Sequence, residues 1–468
     1  MLVHHPDLSI VWYVVEWLIR LGAIGVVPLR RSPAAAASWL LLILFFPIGG
    51  LLLYLVIGRP TFSPARERRW RAIRPFFGDT AAAMEHEAGG GGGAVGAFAQ
   101  TLGRLPCVGG NAVELIDDYD DVVDRLVADI EGAIASVDLL VYIFADDQIG
   151  QRVAAALERA TARGVQCRVI FDPVGSRLWR RGTLRLLATT GAKVREALPA
   201  HLLRRKGRAD MRNHRKLFVI DGRIGYAGSQ NLVAKDFRPG VVNRELVVRT
   251  AGPIVAAMQS VVDGDWQIEG MSAPDPAPVS IPEAKGTSRL QLLPSGADFP
   301  LEGFKTLLVW LLHRATRHAV LVTPYFVPDD DVVNAMRSAA ARGVIVDLVV
   351  SAVVDQRIVH LAQCSYFEEL LVGGVRIHRY RDYLLHAKNV AIDGAIGIVG
   401  SSNVDLRSFQ LNEEVSLLLH DSGEIQRLEA IQSAYIKASD PIDLAIWRAR
   451  PRFRRLFENI ARIMSPLL

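Results

Sequence analysis

Cysteine is scarce in this chain. Cys107, Cys167 and Cys364 stand far apart and are odd in number. That argues against a disulfide framework and leaves no paired Cys-x-x-Cys for zinc, so buried thiols in a reducing compartment are expected. His-Glu-x-x-His is missing too, and no other metal-ligand cluster is visible. No cofactor and no metal are expected. Excess charge is modest: a net +5 and a pI near 9.1 suit anionic lipid or nucleic acid without choosing between them. No basic stretch interleaved with stacking aromatics is present, so no nucleic-acid partner is expected. The N-terminus lacks a basic n-region, which argues against a secretory signal peptide.

What the chain does have is apolar surface. It is 468 residues long and half hydrophobic, with a mean hydropathy of +0.21, high for a soluble enzyme. Ala34 to Gly58 carries no charge over 25 residues. About 20 apolar residues cross a bilayer, so this stretch is expected to span, bent near Pro47–Gly50. Leu8 to Leu29 is a weaker span because Glu16 and Arg20 sit near its middle. A charge there costs roughly 2.5–3.5 kcal/mol, and their spacing of four lets the two pair on a helix. An interfacial helix is the alternative. Arg59, Arg66, Arg68, Arg69, Arg71 and Arg74 follow the second stretch, against Arg30 and Arg31 between the two. The positive-inside rule then puts the N-terminus and everything after the hairpin in the cytoplasm.

One phrase occurs twice. His214-Arg215-Lys216, Asp221 and Gly228-Ser229-Gln230-Asn231 recur as His386-Ala387-Lys388, Asp393 and Gly400-Ser401-Ser402-Asn403, with the same internal spacing. Each copy reads as a strand closed by Asp-Gly, followed by a second apolar strand. Residues i and i+2 of a strand share a face, so each histidine projects with its lysine. Two imidazoles and two ammonium groups around one site suit phosphoryl chemistry. One histidine attacks phosphorus while the other protonates the leaving oxygen, and the lysines stabilise the developing charge without a metal. A single copy would be an ordinary surface strand, but the duplicated phrase is not.

The duplicated H-x-K-x4-D-x6-G-S-x-N resembles the phospholipase D superfamily over roughly residues 107 to 468. That resemblance implies a phosphohistidine intermediate, ping-pong transfer and a pseudo-twofold site between the halves. By position, His214 and His386 become nucleophile and general acid/base. Lys216, Lys388, Asn231 and Asn403 bind phosphate, beside the small hydroxyls of Ser229 and Ser401. Asp221 and Asp393 complete the catalytic motif, more as holders of local structure than as substrate contacts. Glu245 and Glu414 take the place of the carboxylate that orients a histidine. The first is usually Asp in such relatives. The hairpin joined by Arg-Arg-Ser-Pro, and the closing Ser465-Pro-Leu-Leu468, resemble bacterial cardiolipin synthases.

The expected fold is α/β: two pseudo-symmetric phospholipase D-like α/β/α sandwich halves with mixed sheets, behind an N-terminal transmembrane helical hairpin. The expected boundaries are a hairpin over 1–60, a basic then Gly-rich tether over 61–106, a first half over 107–270, a linker over 271–290 and a second half over 291–468. Helices are predicted over 120–135 and 150–163, and strands over 138–145 and 166–171. Tyr142-Ile-Phe-Ala-Asp-Asp147 echoes Tyr325-Phe-Val-Pro-Asp-Asp330, which makes the repeat domain-sized. Arg177 to Arg212 is rich in basic residues, either a lip for anionic headgroups or a solvated helix and loop. The C-terminus from Ile442 mixes apolar and Arg residues, and its helix either lies in an anionic interface or packs its apolar side on the core.

The resemblance implies phosphatidyl transfer between two phosphatidylglycerol molecules, giving cardiolipin and glycerol in a bacterial inner membrane. The expected partners are anionic phospholipids, phosphatidylglycerol and cardiolipin; oligomeric state is not readable. A phospholipase D-type hydrolase differs only in whether water or an alcohol resolves the intermediate, and no residue decides that. A membrane scaffold on a dead fold would have degraded His-Lys pairs, and both pairs here are intact.

Overall fold

The computed structural model describes residues 6–31, 33–58, 62, 64–198, 210–270, 279–299 and 301–464. Part of the basic segment (Arg204, Arg205, Lys206, Arg208), most of the Pro-rich connection (271–278) and Ser465–Leu468 lie outside them.

Fifteen strands form one sheet through both halves. From the first edge the order is Lys193–Glu196, Gln166–Phe171, Ser136–Val141, Leu217–Ile220, Ile224–Gly228, Val247–Ala251 and Val108–Ile116. The second half continues with Ser288–Ser295, Glu414–Leu419, Ile396–Gly400, Asn389–Ile392, His318–Val322, Ile345–Ser351, Arg376–Tyr380 and Ser439–Pro441. Each half has three parallel strands away from the seam and antiparallel strands towards it, and the short edge strand Ser439–Pro441 pairs antiparallel with Arg376–Tyr380. Val108–Ile116 and Ser288–Ser295 pair antiparallel at that seam. The halves therefore share one continuous hydrogen-bonded layer.

Strand residues alternate between two cores, as a sheet covered on both faces requires. Val320 and Val322 join one cluster while Ala319 and Leu321 join the other. In the first half Leu140 faces one side and Leu139 and Val141 the opposite one. The predicted helices form as Tyr119–Glu131 and Gln148–Ala162, each started by an aspartate, Asp118 or Asp147, accepting from two backbone N–H groups. The predicted strands form as Ser136–Val141 and Gln166–Phe171.

Two expectations need correction. The segment read as a tether with room for short helical pieces is the long helix Pro64–Ala88 followed by helix Gly93–Gly103. Ile73, Phe76, Phe77 and Met84 enter the central core and hold the first helix against helix Ile254–Ile268. The apolar run expected as one bent span is two helices, Pro33–Phe45 and Pro47–Ile57. Pro47 cannot donate a backbone hydrogen bond, and the chain breaks there. Among the described residues no helix is long and apolar enough to cross a membrane.

The first apolar segment forms helix Pro6–Val26. Its Arg20 pairs with Glu16 at 3.0 Å, and Arg20 Nε donates to Leu44 O at 3.1 Å. Leu44 lies in the last turn before the Pro47 break, where helix carbonyls lack intrahelical partners. The charged pair in the apolar segment thus closes an end left open by proline.

Candidate active site

The two copies of the phrase meet at the seam. His214 N donates to Glu413 O and Glu413 N to Arg212 O, both at 2.8 Å. Leu384 N donates to Val242 O and His386 N to Arg244 O, again at 2.8 Å. Each histidine segment is thereby laced to the other half's glutamate segment.

The side chains repeat that exchange. His214 Nδ1 lies 3.0 Å from both carboxylate oxygens of Glu414, and His386 Nδ1 lies 2.7 Å from Glu245 Oε1. Each orienting carboxylate serves the histidine of the opposite half. Burial alone would raise both glutamates, but the facing histidine and nearby lysine outweigh it and hold them below the usual range. An ionised carboxylate only accepts, so Nδ1 carries the proton and Nε2 keeps its lone pair. Burial pushes both imidazoles down despite the glutamates, His386 to about 4, so both rings are neutral near pH 7.

His214, His386, Asn231 and Asn403 line one cavity of about 370 Å³, with Tyr142, Tyr325, Asn243 and Asn412. Asn231 Oδ1 accepts from Ile143 N at 3.1 Å, which leaves its amide hydrogens for the cavity. Tyr142 meets His214 edge-on with ring centroids 4.8 Å apart. Its counterpart Tyr325 stands 6.4 Å from His386 and donates to Asp355 at 2.5 Å. Asp355 also pairs with Arg238 of the first half.

Four expected contacts lie elsewhere. Lys216 and Lys388 stand behind the histidines, each donating to its own histidine's carbonyl, at 2.7 and 2.6 Å. Burial depresses both, Lys216 to about 7 and Lys388 to about 8. Ser229 and Ser401 are fully buried and face away from the cavity. Ser401 donates to Glu414 at 2.5 Å, and Ser229 accepts from Leu246 N at 3.0 Å. These serines, just past the ends of strands Ile224–Gly228 and Ile396–Gly400, hold Glu414 and the Leu246 backbone.

Asp221 and Asp393 are structural. Asp221 accepts from the backbone N–H groups of Ile134, Ala135 and Ser136, and Asp393 from those of Thr316, Arg317 and His318. Both adopt the left-handed region, φ 53° and 57°, in the Asp-Gly turn at the far end of the motif strand. Four strand residues separate each aspartate from its lysine, at about 3.3 Å each, which places both away from the cavity.

The halves are not equivalent. Arg215, the middle residue of the first H-x-K, is buried and binds Asp265 at 2.6 Å, Glu413 at 2.7 Å and Glu414 O at 3.1 Å. Its counterpart is Ala387. Arg66, from the helix after the hairpin, pairs with Glu269 and, at 3.0 Å, with Asp298 of the second half. Asp298 N in turn donates to Glu413 at 3.1 Å. Asn243 and Asn412 went unassigned in the sequence, although Asn-x-Glu also occurs in duplicate and marked them.

A family profile described as "Cardiolipin synthase, PLD-like domain" matches residues 126–266 and 308–435. Another, described as "Phospholipase_D-nuclease N-terminal", matches residues 10–59. Proteins named cardiolipin synthase A from Salmonella arizonae and Salmonella paratyphi B are 33% identical over 481 residues, covering 97% of this chain and 99% of theirs. The crystal structure of phosphatidylserine synthase from Haemophilus influenzae superposes with a TM-score of 0.59 at 12% identity, over 80% of this chain and 98% of that one. Polyphosphate kinase from Porphyromonas gingivalis gives 0.50 at 16% identity, over 79% of this chain and 54% of its own. Those two structures share the fold.

Proposed function

From the premise that this chain belongs to the phospholipase D-like cardiolipin synthases, we propose that it is a phosphatidyltransferase that joins two phosphatidylglycerols through His214. The observation that carries the reading is the pair of neutral imidazoles on one cavity, each held at Nδ1 by a glutamate of the other half.

In the first step His214 Nε2 attacks phosphorus. The bond to the headgroup oxygen breaks, and glycerol leaves with a proton from His386. The phosphodiester's negative charge raises the nearby imidazole and ammonium groups, so His386 and both lysines are charged when substrate is bound. In the second step neutral His386 takes the proton of the acceptor's headgroup hydroxyl. That oxygen attacks phosphorus, the phosphorus–nitrogen bond breaks, and cardiolipin leaves. Asn231 and Asn403 donate to the phosphoryl oxygens, and the lysines supply positive charge from behind the histidine backbone.

We read the N-terminal helices as embedded in the bilayer, a multi-pass anchor in the inner membrane with the catalytic part on its cytoplasmic side. Trp12, Trp17, Leu18 and Phe45 are exposed apolar groups on those helices. Arg68, Arg71 and Arg74 are exposed just after them and suit an anionic cytoplasmic leaflet.

The test is product analysis in vesicles of labelled phosphatidylglycerol without added nucleotide. Cardiolipin with equimolar glycerol is expected. Phosphatidic acid with glycerol would make the protein a hydrolase instead.

A further inference from the structure

The C-terminal helix Arg452–Met464 is amphipathic the wrong way round for a helix that packs on a core. Phe453, Leu456, Phe457, Ile460 and Ile463 form one stripe at helical spacing, and that stripe points outward. Phe453 is 67% exposed, Leu456 58% and Phe457 57%. The side turned to the protein is charged. Glu458 is fully buried and holds Arg450 at 3.0 Å and Arg454 at 3.2 Å. Arg455 reaches Glu368 at 3.3 Å and Arg462 reaches Glu369 at 3.1 Å. Arg462 also lies over the Tyr366 ring, 4.1 Å from its centroid.

The fold thus uses its ion pairs to hold this helix with its apolar face free. Five large apolar side chains left in water would each forgo about 1.5–3 kcal/mol of burial, so the face has an occupant. Its end touches the N-terminal helices: Ser38 Oγ donates to Ile463 O at 2.9 Å. Exposed Leu41 and Phe45 lie on that same Ser38 helix. The outward stripe therefore continues the apolar surface of the hairpin. Arg448, Arg452 and Arg454 are exposed around it and give its border positive charge. A short helix with bulky apolar residues on one face and arginines beside them fits the headgroup boundary of an anionic bilayer.

We propose that helix Arg452–Met464 is a second membrane contact, lying in the interface plane of anionic phospholipid beside the hairpin and holding the second half against the bilayer. This rests on the hairpin's being embedded, and it adds a contact that the hairpin does not supply.

The full chain is reconstituted in vesicles of phosphatidylglycerol and phosphatidylcholine. The three native cysteines are buried. A polarity-sensitive fluorophore on Leu456→Cys or Phe457→Cys is compared with one on Glu283→Cys, where the native side chain is 91% exposed. The two helix labels should be quenched by lipids carrying a shallow nitroxide and shielded from iodide, and the Glu283→Cys label should behave oppositely. Accessibility of the helix labels to iodide overturns the proposal. Shielding without nitroxide quenching also overturns it, and means that a second copy covers the face. Quenching is read without turnover, so its failure is separate from failure of the transferase reading. The double variant Leu456→Glu/Phe457→Glu should lose about fivefold or more in rate on vesicles and stay within about twofold on monomeric short-chain phosphatidylglycerol. Equal loss on both substrates would assign the helix a folding role and count against the proposal.

Discussion

His214 and Glu414 are 200 residues apart in sequence, and their side chains meet at 3.0 Å in a buried contact. His386 and Glu245 repeat the contact in the opposite sense. Neither half contains a complete histidine–carboxylate pair. Replacing Glu414 with Gln keeps the shape and removes the charge that fixes the Nδ1–H tautomer. We expect kcat to fall by between about 10² and 10⁴, with little change in KM. The same substitution at Glu245 should weaken proton transfer by His386. Near-normal kcat in both variants would mean that the exchanged carboxylates do not orient the histidines.

The lysines set the alkaline side of the pH profile. Lys216 and Lys388 titrate at about 7 and 8 in the free enzyme, depressed mainly by burial. Above those values they lose the charge that a phosphodiester needs. Burial depresses both histidines, so neither carries a proton in the free enzyme near pH 7. kcat/KM reports the free enzyme, in which His386 must gain a proton to act as acid, so the profile should decline as pH rises above about 4 and more steeply between about pH 7 and 9. In Lys388→Arg the fall set by Lys216 near pH 7 should remain and the added steepness near pH 8 should be lost, because guanidinium stays charged. A flat profile to about pH 9.5 in the unaltered enzyme would mean that lysine charge does not support the phosphodiester.

Much of this arrangement was legible in the sequence. The motif strands are continuous apolar runs closed by Asp-Gly, and they fold as Leu217–Ile220 and Asn389–Ile392, each beginning just after its lysine rather than at its histidine. The exchange of glutamates was not legible, because spacing within a half says nothing about which half's histidine a side chain faces. The helix after the hairpin was hidden by composition. Its alanines and glycines read as linker, yet Ile73, Phe76, Phe77 and Met84 are buried in the central core, and tertiary packing outweighs propensity there. The proline at position 47 was visible, and its effect is stronger than the bend expected, dividing one apolar run into two helices.

Asp221 and Asp393 belong to the motif but not to the cavity. Each carboxylate gathers three backbone N–H groups, so Asp221→Ala removes a set of charge-assisted hydrogen bonds at a largely exposed turn. A loss of about 1–3 kcal/mol in unfolding free energy is expected at either position, with kcat of the folded protein within about threefold. Asp221→Asn should recover part of the stability, since one amide oxygen still accepts. A large fall in kcat at unchanged stability would return these aspartates to the chemistry.

Arg215 differs from its counterpart Ala387 in carrying a buried charge between the halves. It joins Asp265 of the first half to Glu413 of the second, directly behind the His214–Glu414 contact. Burial and neighbouring Asp298 already hold the Glu413 carboxyl far above its usual range, so the cluster tolerates its negative charge poorly. Arg215→Met would fill the space but remove the cation facing both carboxylates. Leaving a buried carboxylate unpaired costs about 3–5 kcal/mol, so chemical denaturation should show a loss of that order. Arg215→Met/Asp265→Asn should recover part of that loss, because the amide needs no facing cation. If the single variant loses less than about 1 kcal/mol, the charges do not hold the seam, and apolar packing alone joins the halves.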